Sequence, residues 1–465
     1  MKIINAKTCA VGSLLLAGAS MIGCSSDDST DTSSTPAPTA YAAYVAANHE
    51  LKGDFKEDIT LEAGIDYKIT GKVNFTAGTT LTIPAGVRLY GSTPSTYLAI
   101  NAGATIIAKG DINNPIVFTS AEDVAGQNVD ANGNPIVVQG QWGGLVLIGN
   151  APIIGGTMTY EAGDQVGGGD VSDDNSGDLE YVVVKNTGFQ VEVDKELNGL
   201  SLLAVGSGTT IKNVAILGGG DDGLEIWGGT VNIDGIYVYD AADDSLDTDM
   251  GYTGTISNAY ALQYTVDKTN YDSSGIETGN DNDSYTSNGG NSGNVISDPT
   301  LANNTQPTMP TFRNVTVKAV GGAIYLKNDA GGIFDNVSVT TMAAQDPTQS
   351  VDVGQAIVTH RTVDVVEDLS GTPYGVQILA GGLELINEID AANIYATENA
   401  KKDNLLADGS PDPQFDVKTY WEAIPGITVD QALLYYSDSA NVTGADTANV
   451  WKGNPGDNND LVLMQ

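Results

Sequence analysis

Asn198-Gly199-Leu200-Ser201 and Asp222-Gly223-Leu224-Glu225 are two copies of one short pattern. The third residue of each copy is apolar and the fourth is polar or acidic. The pattern returns about every 22 residues, or after an insertion, as far as residue 325. Its later copies are Asp244-Ser245-Leu246-Asp247, Ser274-Gly275-Ile276-Glu277 and Gly322-Ala323-Ile324-Tyr325.

A second pattern is interleaved with the first. Its copies are Ile211-Lys212-Asn213-Val214, Ile233-Asp234-Gly235-Ile236, Ile256-Ser257-Asn258-Ala259, Phe312-Arg313-Asn314-Val315 and Phe334-Asp335-Asn336-Val337. Short strands that alternate with Gly, Asp and Asn turns at this period are typical of the coils of a parallel β-helix. Each coil of such a solenoid buries its apolar side chains only against its neighbours.

Three further stretches resemble right-handed β-helix proteins of the pectate-lyase-like superfamily: 98–110, 115–120 and 142–148. The resemblance covers roughly residues 55–393 and implies an all-β fold, a single-stranded right-handed parallel β-helix with projecting loops and terminal caps. It implies no single activity, because enzymes, adhesins and binding proteins share this architecture. Two insertions rich in Gly, Asp, Asn and Ser, at 150–178 and 267–310, are predicted to project from one side as loops.

The N-terminus has the layout of a secretory signal peptide, with Lys2 and Lys7 before an apolar run at 10–19 that is too short to span a bilayer. The run ends in Met21-Ile22-Gly23-Cys24, which resembles the lipobox of bacterial lipoproteins. The resemblance implies cleavage before Cys24 and acylation of its sulfur, for example with palmitate, so that lipid anchors the chain to a membrane. Ser25 after the cysteine resembles the outer-membrane sorting signal, and the acidic residues that follow resemble signals for surface display.

The expected organisation is a signal peptide at 1–23, a lipidated flexible tether at 24–40, an N-terminal cap at 41–54, the β-helix at 55–400 and a C-terminal cap region at 401–465. The tether contains Ser, Thr, Asp and Pro without large apolar residues. The alanine-rich start of the first cap predicts a short helix at 41–48.

Acidic residues outnumber basic ones by 59 to 20, and the net charge is -39. This balance argues against nucleic acid or anionic lipid headgroups as partners, because both need clustered Lys and Arg. It favours cations.

Alignment of the coils places Leu200, Leu224, Leu246, Ile276 and Ile324 in one inward ladder and Ser201, Glu225, Asp247, Glu277 and Tyr325 in an outward one. Carboxylates in neighbouring coils would repel each other by roughly 1–3 kcal/mol per pair. A bound hard cation would offset this repulsion, and Ca²⁺ is the natural candidate because it prefers oxygen ligands. The predicted metal ligands are Asp222, Glu225, Asp244, Asp247 and Glu277, with Asp221, Asp243, Asp249, Asp281 and Asp283 adding negative charge nearby.

A raised carboxyl pKa is the other remedy, and it is how paired carboxylates become general acids. Gly220-Asp221-Asp222-Gly223 resembles the paired aspartates of polygalacturonase-type β-helix hydrolases, which also carry a histidine and Arg-x-Lys. Here the histidines are His49 and His360 and the arginines are Arg88, Arg313 and Arg361. None lies in the acidic coils, and the basic group that a lyase needs is missing there too.

Three functions therefore stay open, and the first is favoured. It is a non-catalytic outer-membrane or surface lipoprotein whose acidic, Ca²⁺-dependent face binds a glycan, a metal or a partner protein. The second is a glycan-active hydrolase or lyase that uses Asp222, Glu225, Asp244 and Asp247. The third is a structural or adhesive spacer. Five tyrosines could also form a sugar-stacking platform, although β-rich chains use tyrosine for packing as well: Tyr237, Tyr239, Tyr252, Tyr260 and Tyr264.

Overall fold

The structure is a computed structural model that describes residues 40–163, 165–192, 195–264, 273–280, 308–320, 322–326, 330–342, 357–359, 376–378, 382–387, 395–396, 435–437 and 442–453. Cys24, the predicted tether before Ala40, Asp281, Asp283, His360 and Arg361 lie outside these residues. So do most of the predicted loop at 267–310 and most of the predicted C-terminal cap.

The described residues form two short helices and 29 strands. The helices are α1 (Ala40–Asn48) and α2 (Ala121–Val124). The first strands are β1 (Glu50–Phe55), β2 (Ile59–Thr60), β3 (Asp66–Phe75), β4 (Thr80–Ile83), β5 (Arg88–Gly91), β6 (Tyr97–Ile100), β7 (Thr105–Lys109), β8 (Ile116–Ser120), β9 (Gly144–Ile148), β10 (Met158–Thr159), β11 (Val166–Gly167), β12 (Gly177–Lys185), β13 (Gln190–Glu192) and β14 (Lys195–Glu196).

The later strands are β15 (Leu200–Leu203), β16 (Thr210–Leu217), β17 (Leu224–Trp227), β18 (Asn232–Tyr239), β19 (Leu246–Asp249), β20 (Thr255–Gln263), β21 (Ser274–Thr278), β22 (Thr311–Ala319), β23 (Gly322–Leu326), β24 (Gly332–Thr341), β25 (Ile357–Thr359), β26 (Val376–Ile378), β27 (Leu383–Asn387), β28 (Tyr395–Ala396) and β29 (Tyr435–Ser437). The described part of the chain contains no helix with the length and apolar character needed to cross a membrane.

Parallel pairing between successive coils builds the solenoid, as the sequence predicts. One face stacks β6, β9, β15, β17, β19, β21 and β23, and we call it the first face. The long strands β12, β16, β18, β20, β22 and β24 stack in the same way and supply the other two faces. Parallel pairing already begins at β1, which pairs with β3, so the coils start before Phe55.

Each long strand turns a corner at one residue in the left-handed backbone region. This position holds Tyr181, Asn213, Gly235, Asn258, Asn314 and Asn336 in successive coils. Asparagine tolerates this conformation because its side chain bonds locally, and glycine because it has no Cβ. A Cβ on Gly235 would also lie 2.7 Å from Oδ1 of Asn213. The asparagine of the second sequence pattern therefore marks the corner between the second and third faces.

The lumen is filled by the predicted inward ladder. Leu200, Leu224, Leu246, Ile276 and Ile324 are in register from coil to coil and fully buried. A closed apolar lumen of this kind provides the core that a single coil lacks. The predicted register is confirmed.

The first insertion does not project. Residues 150–176, which we call the cover, lie against the outward side of the first face and bury Ile153 and Tyr160 there. Tyr160 packs between Tyr97 and Trp227, with ring centroids 6.1 and 5.9 Å away. The prediction that residues 150–178 project from the solenoid as a loop was wrong, because apolar side chains in the cover meet apolar residues on the outward side of the strands.

An antiparallel strand lies at the C-terminal end of the described stack. β29 pairs antiparallel with β27, although the other pairings along the solenoid are parallel. Residues 442–453, which we call the strap, then pack on the outward side of the third face through Val450 and Trp451. At the other end of the solenoid, α1 buries Val45 and packs Tyr41 against Phe55 of β1 with the two rings tilted.

Candidate metal centre

The acidic ladder lies in the predicted register. Ser201, Glu225, Asp247, Glu277 and Tyr325 are paired from coil to coil along the first face. Its side chains point away from the lumen, yet Asp247 is 7% exposed and Glu277 only 4%. An outward direction on this face therefore does not mean exposure to solvent, because the carboxylates lie within the folded protein.

Two aspartates stand at the turn that leads into β17, and two more stand at the turn that leads into β19. Asp222 accepts a hydrogen bond at Oδ1 from the Asp244 main-chain N–H at 2.8 Å, and Asp244 accepts from the N–H and hydroxyl of Ser274. Asn198 starts this series, since its Oδ1 accepts the Asp222 N–H at 3.1 Å. One oxygen of each aspartate therefore holds the next coil in place, and the carboxylate charge remains.

Asp222, Asp244 and Asp247 converge. One carboxylate oxygen from each lies within 4.8 Å of the others. Two oxygens that bind the same Ca²⁺ at 2.3–2.6 Å are at most about 5 Å apart, so the spacing fits a shared ion. Asp221, Asp222 and Asp243 form a second such group, and Asp222 belongs to both.

Burial raises the pKa of Asp222, of Glu225 and of Asp244 well above their ordinary values. Repulsion adds to the effect of burial: the largest charge acting on Asp222 is that of Asp221, and for Asp244 it is that of Glu277. Desolvation and like charges both disfavour the ionised form. The site therefore favours either protons or a cation that balances the carboxylates.

Glu225 and Glu277 border the three-aspartate group without belonging to it. Glu225 accepts a hydrogen bond from the Asn198 side-chain amide, and the charge that most raises its pKa is Glu161 of the cover. Sequence reasoning missed Asn198, Ser274 and Glu161. The coil alignment could have found the first two, since they occupy the Asp222 position in neighbouring coils, whereas Glu161 carries no repeat signal.

The basic groups that a β-helix hydrolase uses lie elsewhere in the described residues. Arg88 pairs with Asp66 on β5 and β3, and Arg313 pairs with Asp335 at 2.9 Å on β22 and β24, so neither arginine lies on the first face that carries the acidic ladder. His49 stacks edge-on against Tyr67 next to α1. Within the described chain, the resemblance to polygalacturonase-type hydrolases stops at the aspartates.

The tyrosines form no open platform. Tyr252 is buried in the lumen and donates its hydroxyl to the Val231 carbonyl at 2.8 Å. Tyr237 and Tyr260 pack against each other on the third face beneath the strap, with ring centroids 5.5 Å apart. Tyr239 and Tyr264 are half-buried beside them. A sugar-stacking surface made of all five residues is therefore excluded.

Comparison with known families agrees with this architecture. A model of the pectate-lyase like beta helix domain matches residues 53–401. The chain belongs to this family. No curated protein and no solved structure matches it. Membership of the pectate-lyase-like beta-helix family accounts for the parallel coils, and it assigns neither a substrate nor a metal to the acidic ladder.

Proposed function

We propose that this pectate-lyase-like β-helix belongs to a non-catalytic lipoprotein of the outer membrane or cell surface that holds Ca²⁺ in its acidic coils and binds a glycan or a partner protein. The observation that carries the proposal is the convergence of Asp222, Asp244 and Asp247 within 4.8 Å. Their burial makes three bare charges unfavourable and a bound divalent ion favourable.

The hydrogen bonds in the site support a preformed cation site. Asp222 and Asp244 are fixed by main-chain N–H groups of the next coil, so their carboxylates do not have to be ordered when the ion binds. Preorganised ligands lose little conformational entropy on binding. Asp221, half-buried at the edge of the second acidic group, would face a partner that approaches this region.

Thermal unfolding tests the cation. We expect Ca²⁺ to raise the free energy of unfolding by about 2.7 kcal/mol at a hundredfold excess over its dissociation constant, and a chelator to remove this gain. Asp247→Asn should reduce the Ca²⁺-dependent rise in melting temperature. Asp66→Asn is the matched control, because Asp66 is an exposed carboxylate paired with Arg88 and remote from the ladder. Equal melting temperatures of the wild-type protein in Ca²⁺ and in chelator would refute the cation and leave the enzyme and spacer functions.

A glycan-active enzyme is the second candidate, favoured by one specific observation. Glu225 and Asp222 have raised pKa values and lie close enough to act on each other, as a general acid and its partner do. Hydrolysis or lysis of acidic and neutral polysaccharides, measured as released reducing ends, would establish it if the activity vanished in Glu225→Gln. Ca²⁺ binding without any released product supports the binding function.

The lipid anchor has its own test. Cys24 is the only cysteine that remains after cleavage at the lipobox, because the other one, Cys9, lies in the signal peptide. Cys24→Ser should therefore abolish labelling with a radioactive fatty acid and release the protein from membranes, while Cys9→Ser leaves both unchanged. Undiminished labelling of Cys24→Ser would exclude lipidation at this residue.

A further inference from the structure

The outer face of α1 carries no charged side chain. Val45 is the buried residue of this helix, whereas Ala43 and Ala47 are exposed, Tyr41 is 44% exposed and Tyr44 is 38% exposed. A helix that faces only solvent usually carries charged side chains on its outer side. In a chain with a net charge of -39, an uncharged helix face with two exposed aromatic rings therefore suits a surface other than water.

Both tyrosines are held in place by the fold. The Tyr41 ring packs against Phe55 with ring centroids 5.7 Å apart, and the Tyr44 hydroxyl donates to Glu50. Tyrosine is enriched where proteins meet the headgroup region of a bilayer, because its ring is apolar and its hydroxyl is polar. The helix is already folded and packed, so contact with such a surface does not have to order it.

The coils next to α1 carry almost none of the negative charge. Residues 40–91 contain five basic and six acidic side chains, whereas residues 92–465 contain thirteen basic and fifty acidic ones. Within the first group Lys68 pairs with Glu50 at 2.8 Å, and Arg88 pairs with Asp66. The overall balance of charge disfavours a lipid surface as a partner, but this end of the chain is nearly neutral.

The acidic ladder lies well away from α1. Strand pairing on the first face leads in five steps from Phe55 in β1 to Ile226 in β17, through Phe75, Ile100, Leu147 and Leu202. At about 4.8 Å per step the two strands are about 24 Å apart, or about three Debye lengths at physiological ionic strength. A surface in contact with α1 is therefore largely screened from the charge of the ladder.

The proposed lipid anchor would bring such a surface within reach. Ala40, where α1 begins, lies sixteen residues after Cys24, and a chain of that length spans at most about 55 Å. The acyl chains supply the affinity for the bilayer. Because a second contact then forms at a high effective concentration, α1 needs to bind only weakly.

We propose that α1 docks through Tyr41, Tyr44 and its exposed alanines on the zwitterionic headgroup region of the bilayer that holds the lipid anchor. The inference rests on the proposed lipoprotein function and adds an orientation to it. The nearly neutral first coils face the membrane, and the acidic ladder is held away from it.

Quenching by spin-labelled lipid tests the docking. The acylated mature protein is reconstituted in phosphatidylcholine vesicles that contain headgroup-spin-labelled phosphatidylcholine, with a fluorophore on a single introduced cysteine. The cysteine is either Ala47→Cys in α1 or Lys318→Cys, an exposed position in β22 that lies eight strand pairings from β1. Quenching should be at least threefold stronger at position 47 than at position 318.

A charge on the outer face of α1 should abolish the difference. Ala43→Glu should reduce quenching at position 47 to the level at position 318, because a carboxylate resists transfer into the headgroup region. Ala131→Glu is the matched control, since Ala131 is an exposed alanine in a loop outside α1, and it should leave the quenching unchanged. Melting temperatures and circular dichroism spectra establish that both variants are folded.

Flotation of the vesicles separates the anchor from the docking. Protein that floats but is quenched equally at both positions, or that keeps its quenching in Ala43→Glu, would overturn the docking and leave the anchor. Protein that does not float would overturn the anchor and the docking with it. Energy transfer between labelled copies that rises with the protein-to-lipid ratio and is lost in Ala43→Glu would also overturn the proposal, since α1 would then dock on a second copy.

Discussion

The corner asparagines and the acidic ladder are two columns of side chains on the same coils, one made of neutral amides and the other of carboxylates. At the corner, the Asn314 amide donates to Asn258 Oδ1 at 3.2 Å and the Asn336 amide to Asn314 Oδ1 at 2.9 Å. Each amide both donates and accepts, so an asparagine column satisfies itself from coil to coil. In the acidic ladder, carboxylates repeat at the same spacing, and an ionised carboxylate can only accept.

The difference shows what a solenoid repeat does to a side chain. Repetition multiplies whatever one coil carries, so a neutral amide gives a continuous hydrogen-bond ladder and a carboxylate gives a growing negative potential. Asp222 and Asp244 reduce this cost with main-chain donors from the next coil, but one N–H does not neutralise a charge. A corner can therefore be closed by the chain alone, whereas the acidic column needs protons or cations.

The largest expected change in stability comes from placing a charge on the lumen-facing side of a first-face strand. Leu224→Asp should lower the free energy of unfolding by at least about 3 kcal/mol, because it places an unpaired carboxylate in the apolar lumen behind the acidic column. Urea unfolding measures the loss. Val129→Asp, at a position 42% exposed, should change stability by less than about 0.5 kcal/mol. A Leu224→Asp protein as stable as wild type would show that Leu224 does not face the lumen.

A change of pH in the presence of chelator should change the melting temperature by an intermediate amount. The pKa values of Asp222 and Asp244 are raised above the ordinary 3.8, so the folded state keeps protons that the unfolded chain releases. This stabilisation is complete below the ordinary value and is lost as pH rises through the raised one. The metal-free protein should melt at a higher temperature at pH 5.5 than at pH 8.

Under the proposed function, Ca²⁺ should reverse the trend, because it would bind the ionised carboxylates in competition with protons. The increase in melting temperature caused by Ca²⁺ should therefore be larger at pH 8 than at pH 5.5. Glu50 does not disturb the comparison: hydrogen bonds from Lys68 and its neighbours lower its pKa to about 2, so it stays ionised in this window. A chelated protein that melts at the same temperature at both pH values would show that the carboxylates are simply solvated.

The smallest expected change in stability comes from replacing a corner asparagine with an acidic residue. Asn258→Asp removes the amide that donates to Asp234 at 2.6 Å and puts two carboxylates together, which should cost about 1 kcal/mol at this exposed site. Asn258→Gly is the matched control, since glycine occupies this corner naturally at Gly235. Chemical unfolding at pH 7 should rank wild type above Asn258→Gly and that above Asn258→Asp. If Asn258→Asp were the more stable of the two variants, charge would not explain why the asparagine column satisfies itself and the acidic ladder does not.

The coil register could be predicted because it is written into the sequence as a repeat. Leu224, Leu246 and Ile276 are equivalent positions separated by turns, and insertions between coils leave their pairing unchanged. The corner asparagines and the acidic ladder follow from the same alignment, and so does the closeness of Asp222 and Asp244. Local periodicity is sufficient wherever the contact is between neighbouring coils.

Burial of the outward side could not be predicted from alternation alone. What covers the first face is the segment 150–176, and what covers the third is the strap, and neither repeats. A signal was present in the run from Leu200 to Val205, where apolar residues occupy both sides of the strand, as in sheets covered on both faces. The run indicates a cover but not which distant segment provides it.

The antiparallel pairing of β29 with β27 bears on whether copies of the molecule associate end to end. A stack of parallel coils is in principle extendable, since each exposed rim offers unpaired main-chain groups to the first coil of another molecule. A strand of opposite direction at one rim and α1 at the other present mismatched partners there. Within the described residues, a repeat that could in principle pair end to end thus meets a mismatched element at each rim, which disfavours end-to-end pairing between copies.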